Sequence, residues 1–158
     1  MSKYNYNYAE NDYKTPLELY EKALNWYFSG KSEIDFPKRF GLDVCCSEKN
    51  IPALFHYIKG EADGLKEPWH LWNWCNPPFN ECKLWVKKAH EEQLKGKTTA
   101  MLIPARTETA YWHEYILNQP DVEIEFLKKG YRFLDKNNNN MGIFKNALAL
   151  VYFRGARK

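Results

Sequence analysis

Apolar residues along the chain follow two periods, and the alternation between them predicts the fold. From Thr15 to about residue 28, Tyr20, Ala23, Leu24 and Tyr27 recur at i, i+3, i+4 and i+7, the spacing of one helix face. Thr15-Pro16-Leu17-Glu18 opens that segment as a helix start should: threonine as cap, proline where no amide donor is needed, glutamate closing a capping box. Largely apolar runs predict buried strands at 40–46, 71–75 and 98–103, the first with Asp43 inside it. Residues 50–70 fit neither period well, and a short helix or strand near 54–58 is the reading they support. A helix over 81–95 puts Cys82, Trp85, Val86 and Ala89 on its core face and stops at Gly96. A third helix near 108–117, a half-buried strand at 122–127 and a last strand at 147–153 complete the pattern, with a loop at the four asparagines from Asn137 to Asn140. Strands alternating with helices predict an α/β layer whose sheet is mostly parallel with an antiparallel C-terminal hairpin. Ligands of such sheets sit beyond the carboxyl ends of the strands, which directs attention to the segments after Cys46, Cys75 and Ile103.

Composition narrows the class. The chain has 158 residues, 44% of them hydrophobic, with nine Phe, six Trp and eleven Tyr, enough apolar surface to offset chain entropy on burial. Residues 1–14, rich in Tyr and Asn, are expected to form an arm, and 15–158 a single compact domain. No apolar run approaches the ~20 residues of a membrane span, and the polar start does not read as a secretion signal. A soluble, cytoplasmic protein is expected. Cys45, Cys46, Cys75 and Cys82 lack C-x-x-C spacing and lie in apolar segments, so they are expected to be buried reduced thiols and not a metal or disulfide framework.

Charge adds a partner. The net charge of +3 is unevenly divided: from Lys128 to the end eight basic residues stand against Asp135, giving +7 and leaving −4 on residues 1–127. A polyanion would be drawn to that basic part, although a solvated surface with a basic tail has the same composition.

One motif carries chemistry. Asn76-Pro77-Pro78-Phe79 follows directly on an expected buried strand; read blandly, it is a rigid turn. An exocyclic amine of a nucleobase is a poor nucleophile because its lone pair is delocalised into the ring. The Asn76 amide oxygen and the Pro77 carbonyl could accept its two N–H bonds and free that lone pair. Proline fixes φ and brings no competing N–H, so the corner is preorganised, and Phe79 could stack on the base.

These residues resemble the phage-type, Dam-related DNA N6-adenine methyltransferases, which use S-adenosylmethionine. The likeness runs from about residue 12 to 153. Asn76-Pro77-Pro78-Phe79 matches the family's (N/D)PP(Y/F) motif, Thr15-Pro16 its first-helix opening beside the cofactor, and Phe40-Gly41-Leu42-Asp43-Val44 its first strand. Asp63-Gly64-Leu65 followed by Trp69, and Leu102-Ile103-Pro104-Ala105-Arg106-Thr107-Glu108-Thr109 with Trp112-His113, match two further segments. The resemblance implies a Rossmann-like class I methyltransferase sheet with helices on both faces. It implies a catalytic corner of Asn76, Pro77, Pro78 and Phe79, and cofactor contacts from Thr15, Pro16, Asp43, Cys45 and Asp63. Arg106, Lys128, Lys129 and Arg132 are the expected DNA contacts, with the target adenine flipped from the stack. His113 is expected to be a packing or surface residue.

Two features depart from the wider superfamily. No G-x-G follows the first strand, where Val44-Cys45-Cys46-Ser47 stands instead. Nor is there room for a separate target-recognition insert between residues 47 and 75, so short or relaxed site specificity is expected. RNA or a protein glutamine as substrate, and a non-catalytic nucleic-acid-binding module, are alternatives compatible with the same residues.

Overall fold

The computed structural model describes residues 15–29, 38–128, 131–134, 140–143 and 146–156. The expected arm at 1–14, Lys129 and the side chain of Arg132 lie outside the described residues.

Six strands form the main sheet in the order β2-β1-β3-β4-β8-β5, with β1 at Phe40–Cys46, β2 at Ala53–Ile58, β3 at Trp72–Cys75, β4 at Thr98–Pro104, β5 at Val122–Phe126 and β8 at Leu148–Phe153. β1 pairs in parallel with both β2 and β3, and β3 in parallel with β4. β8 is antiparallel to β4 and to β5, between which it lies. The expected α/β class is observed, a mostly parallel sheet with an antiparallel C-terminal pair. From β1 the chain passes outward to β2 and returns to β3 on the other side of β1. A crevice at the carboxyl ends follows from that reversal, because the two crossovers leave in opposite directions.

Side-chain alternation explains the layers. In β4, Ala100 and Leu102 face one cluster and Met101 and Ile103 the other; in β8, Leu150 and Tyr152 oppose Ala149, Val151 and Phe153. Helix α1 (Leu17–Phe28) covers the first face with Leu19, Ala23 and Leu24, against Phe40, Trp72 and Trp74. Helices α2 (Cys82–Leu94) and α3 (Ala110–Tyr115) cover the second with Val86, Ala89, Trp112 and Ile116 just past α3. Both faces being covered, β4 and β8 are buried nearly throughout, which is why they read as continuous apolar runs.

α1 is also clamped to the far strands. Lys22 Nζ pairs with Glu125 of β5 at 2.8 Å, and Trp26 Nε1 donates to Glu123 at 2.8 Å. The Trp26 ring stacks on Tyr152 with centroids 4.2 Å apart, and the Arg154 guanidinium lies 4.6 Å over it. Tyr27 stacks on Trp72 of β3 at 4.1 Å.

Several boundaries differ from expectation for identifiable reasons. α1 starts at Leu17 with Pro16 in the cap position and no side-chain cap bond, so the expected capping box is not formed. Leu19, and not Tyr20, holds the first fully buried place on its face. A one-turn 3-10 helix, Phe79–Glu81, precedes α2. Residues 53–58 form a strand, but at the sheet's edge, with the adjacent Leu54 and Phe55 both exposed; with neither face fully covered, no alternation marks it. Part of the expected asparagine loop is strand: β7 (Asn140–Ile143) pairs antiparallel with β6 (Arg132–Leu134) as a separate two-stranded sheet. All four cysteines are free thiols, Cys75 and Cys82 buried, but Cys45 and Cys46 only half-buried. Burial pushes the Cys82 thiol up to about 12. Among the described residues no helix is long and apolar enough to cross a membrane.

Candidate active site

Asn76 is the first residue past β3, a strand buried along its whole length. Trp74 is held in register with Asp43 of β1 and Ala100 of β4, so the polypeptide leaves the sheet at a defined place. Pro77 is buried, and Pro78 takes φ −55° and ψ 127°. The Glu81 amide then donates to the Pro78 carbonyl at 2.9 Å, starting the 3-10 turn that feeds α2. Two consecutive prolines leave this corner few alternatives.

A cavity of about 540 Å³ opens against the corner, at the carboxyl ends of β1, β2 and β3. Of the residues named from sequence, Thr15, Asp43, Cys45, Asp63, Asn76, Pro77 and Pro78 line it. Pro16 and Phe79 do not. Phe79 is half-buried where the two core clusters meet, beside the cavity wall. Arg106 lies outside the lining, exposed on the loop after β4, with its Nε 2.6 Å from Glu108; a phosphate would have to compete with that carboxylate. Lys128 is exposed two residues beyond β5. His113 is exposed, its Nε2 2.8 Å from the Thr107 carbonyl.

Asp43 is the electrostatic centre of the wall. It is buried, and its Oδ1 accepts the Cys45 amide at 3.3 Å. Burial raises its carboxyl to about 7, against the opposing pull of hydrogen bonds from the Cys45 amide and the Cys46 side chain. Removing a carboxylate from water without a cation beside it disfavours its charged form. Asp63 is exposed and closes an ordinary turn, Oδ1 accepting the Leu65 amide at 2.9 Å.

Thr15 is where local and tertiary demands conflict. Its hydroxyl, expected to cap α1, instead accepts a hydrogen bond from Asn76 Nδ2 at 3.1 Å. A threonine cap contributes about 1 kcal/mol to a helix, and that contribution is forgone here for a contact between residues 61 apart in sequence.

Gly64 packs the loop after β2 against the end of β1. A Cβ on Gly64 would lie 2.0 Å from the Val44 carbonyl oxygen and 2.9 Å from the Trp85 ring. The close backbone approach over the end of β1 thus comes from the loop after β2. The Gly64 carbonyl accepts Trp69 Nε1 at 2.7 Å, which ties the Asp-Gly-Leu segment to the following tryptophan. Gly64→Ala is expected to destabilise the fold by about 1–3 kcal/mol. Thermal melting should register this as a lowered midpoint, by roughly 2–4 °C per kcal/mol.

Other wall residues escaped the sequence reading: Tyr57, Lys59, Glu61, Glu81 and Trp85. Lys59 and Glu61 follow the carboxyl end of β2, so assigning that strand would have found them. Glu81 and Trp85, joined by a 3.3 Å hydrogen bond, carried an i, i+4 spacing just past the motif.

Comparison with known proteins bears on this geometry. The model of the family described as DNA N-6-adenine-methyltransferase (Dam) matches residues 6–154. The chain belongs to that family. A curated Dam relative, the DNA N-6-adenine-methyltransferase of Escherichia phage T1, is 32% identical over 88 residues, which cover 53% of this chain and 36% of the phage protein. The match therefore spans little more than a third of that relative's length. No solved structure matches the chain significantly. The Dam match encloses every wall residue of the cavity.

Proposed function

We propose that the chain transfers a methyl group from S-adenosylmethionine to the N6 amino group of adenine in DNA. The observation that carries this reading is the proline-stiffened Asn76 corner opening on a cavity large enough for a cofactor, in a chain of the Dam family. Pockets for such ligands run to ~300–1,000 Å³. The lining also has the right sign, since among the described residues its charged groups are Asp43, Glu61, Asp63 and Glu81 against Lys59. That balance suits a ligand bearing a sulfonium and an ammonium. Asp43, Asp63, Thr15 and Cys45 would hold it, and when bound it supplies an electrophilic methyl group.

The remaining chemistry falls to the chain's own residues. Asn76 Oδ1 and the Pro77 carbonyl accept the two N–H bonds of the target amine and draw its nitrogen toward tetrahedral geometry. Their positions are set before the substrate arrives, so no reorganisation is needed at the moment of transfer. Pro78 keeps the corner rigid. Phe79, beside the wall, offers a ring on which an extruded base could stack. Extrusion costs a few kcal/mol, and Lys128, with Lys129, Arg132 and Arg106, would offset part of it through phosphate contacts. The methylated amine is cationic and loses its proton to water, so a dedicated base is not required.

Unmethylated DNA incubated with labelled S-adenosylmethionine, then digested to nucleosides, tests this directly. N6-methyladenine as the labelled product is expected. Label in RNA or in protein glutamine instead would transfer the mechanism to another substrate. Cofactor binding that shows no heat in calorimetry would favour a non-catalytic nucleic-acid-binding module.

A further inference from the structure

Helices ordinarily carry acids in their first turn and bases in their last, because the aligned peptide dipoles leave the N-terminal end positive. α2 is charged the other way round. Its first turn holds no acid, Lys83 stands second, Lys87 and Lys88 follow one turn on, and its two acids, Glu91 and Glu92, come only afterwards. α1, by contrast, has Glu18 in its first turn. Lys83 and Lys87 are also like charges at i, i+4, a spacing at which they repel. We infer that Lys83 and Lys87, on the outward face of α2, form a DNA-docking surface that takes backbone phosphates beside the cavity; this rests on the methyl-transfer reading above.

Three observations support it. The first is place. The corner leads straight through the 3-10 turn into α2, and Glu81 and Trp85 line the cavity, so Lys83 stands between two wall residues in sequence. The second is exposure. Cys82, Trp85, Val86 and Ala89 are buried whereas Lys83, Leu84 and Lys87 are exposed, which puts both lysines on the side of the helix that meets solvent. The third is the state of their charges. Lys88 and Lys95 are tied to the buried Glu92, at 3.1 and 3.4 Å, and Arg106 is tied to Glu108. Among the described residues neither Lys83 nor Lys87 has an ion-pair partner, so a phosphate meeting them displaces no carboxylate. Two cations set against their own helix cost the free protein a little, and a local conflict of that kind is expected where a residue serves a partner instead of the fold. Compact charges on flexible stems suit the phosphate backbone, which fixes position without reading sequence.

Binding of a fluorescent DNA duplex, followed by anisotropy over a range of salt concentrations with cofactor present, tests the surface. Each lost phosphate contact lowers the slope of log affinity against log salt by ~0.9. The double variant Lys83→Gln/Lys87→Gln should therefore lower it by about 2 and weaken binding at least about tenfold at about 0.1 M salt. Lys38→Gln removes an exposed charge two residues ahead of β1, at the end of the sheet away from the cavity, and should leave slope and affinity as in the parent. An unchanged slope in the double variant, or a fall matched charge for charge by Lys38→Gln, would overturn the assignment. An RNA duplex bound more tightly than DNA, with the same loss in the variant, would overturn it as a DNA surface.

Stability of the free protein gives a second readout, of opposite sign. Lysines that serve the fold would lower the thermal midpoint when removed. Lysines held against the helix for the sake of DNA should leave it unchanged on removal or raise it, by about 1–3 °C. A lowered midpoint in the double variant would overturn the inference even where DNA binding is weakened. Turnover separates this surface from the proposed activity. A parent that forms N6-methyladenine, beside a double variant with the parental slope, sinks the surface alone. A parent that methylates nothing, beside a variant that loses slope as expected, upholds the surface and sinks the activity.

Discussion

Asn76→Ala is expected to lower the rate of adenine methylation by at least about 10²–10³-fold while leaving cofactor affinity within about twofold. The magnitude is that of deleting one preorganised dipole aimed where charge develops in a transition state. The asymmetry between rate and affinity follows from the placing of Asn76 on the corner itself, whereas the buried carboxylate Asp43 enters the cavity wall from β1. Initial rates at saturating DNA, set beside calorimetric titration of the cofactor, measure both quantities on the same preparation. Turnover within tenfold of the parent would move the acceptor role off Asn76 and with it the proposed chemistry.

The second large effect is on pH dependence. Burial lifts the Asp43 carboxyl to about 7, so over the neutral range its charge is only partly present without a ligand. A cationic ligand beside it binds the ionised form, and affinity for S-adenosylmethionine should therefore rise as pH rises through 7. Between pH 6 and 7.5 the ionised fraction grows about eightfold, which bounds the change in dissociation constant. Asp43→Asn should flatten this dependence and bind the cofactor weakly throughout. Folding has the opposite sign. An acid raised in the folded state binds its proton more tightly there than in the unfolded chain. Stability from this group is greatest below the unfolded value of 3.8 and falls as pH climbs toward 7. Asp43→Asn should accordingly stabilise the ligand-free protein at pH 8, by as much as about 4 kcal/mol, in denaturant titration. A destabilised variant with unchanged cofactor affinity would remove Asp43 from the site.

Much of this architecture could be read from residue pattern because its strands are buried on both faces. β4 and β8 have no exposed side to interrupt their apolar runs, and β1 keeps its pattern with one acid inside it. The same logic explains the failures. β2 is an edge strand with Leu54 and Phe55 in solvent and His56 and Tyr57 half-covered, so neither period is clean. The expected helix near 108–117 is present as α3, but shorter by two residues at each end: Trp112 carries its burial almost alone, so no repeat marks where it starts and stops. At the site, the corner and Asp43 were legible because proline pairs and buried acids are locally unusual. Gly64 was legible as part of a motif but not in its purpose, which depends on where β1 ends in space. Thr15 was misread because its capping chemistry is local whereas its partner, Asn76, comes from another element.

The clamp on α1 has a consequence for how the protein comes into being. Helix α1 is tied by Lys22 and Trp26 to Glu125, Glu123 and Tyr152, with sequence separations of 103 and 97 residues for the two side-chain hydrogen bonds. β8, moreover, inserts between β4 and β5. In a nascent polypeptide α1 can settle on β1 and β3 early, but its contacts to β5 and β8 wait until those strands have been made. Synthesis order and sheet order therefore disagree, and the main sheet closes only when a strand made late slips between two made earlier.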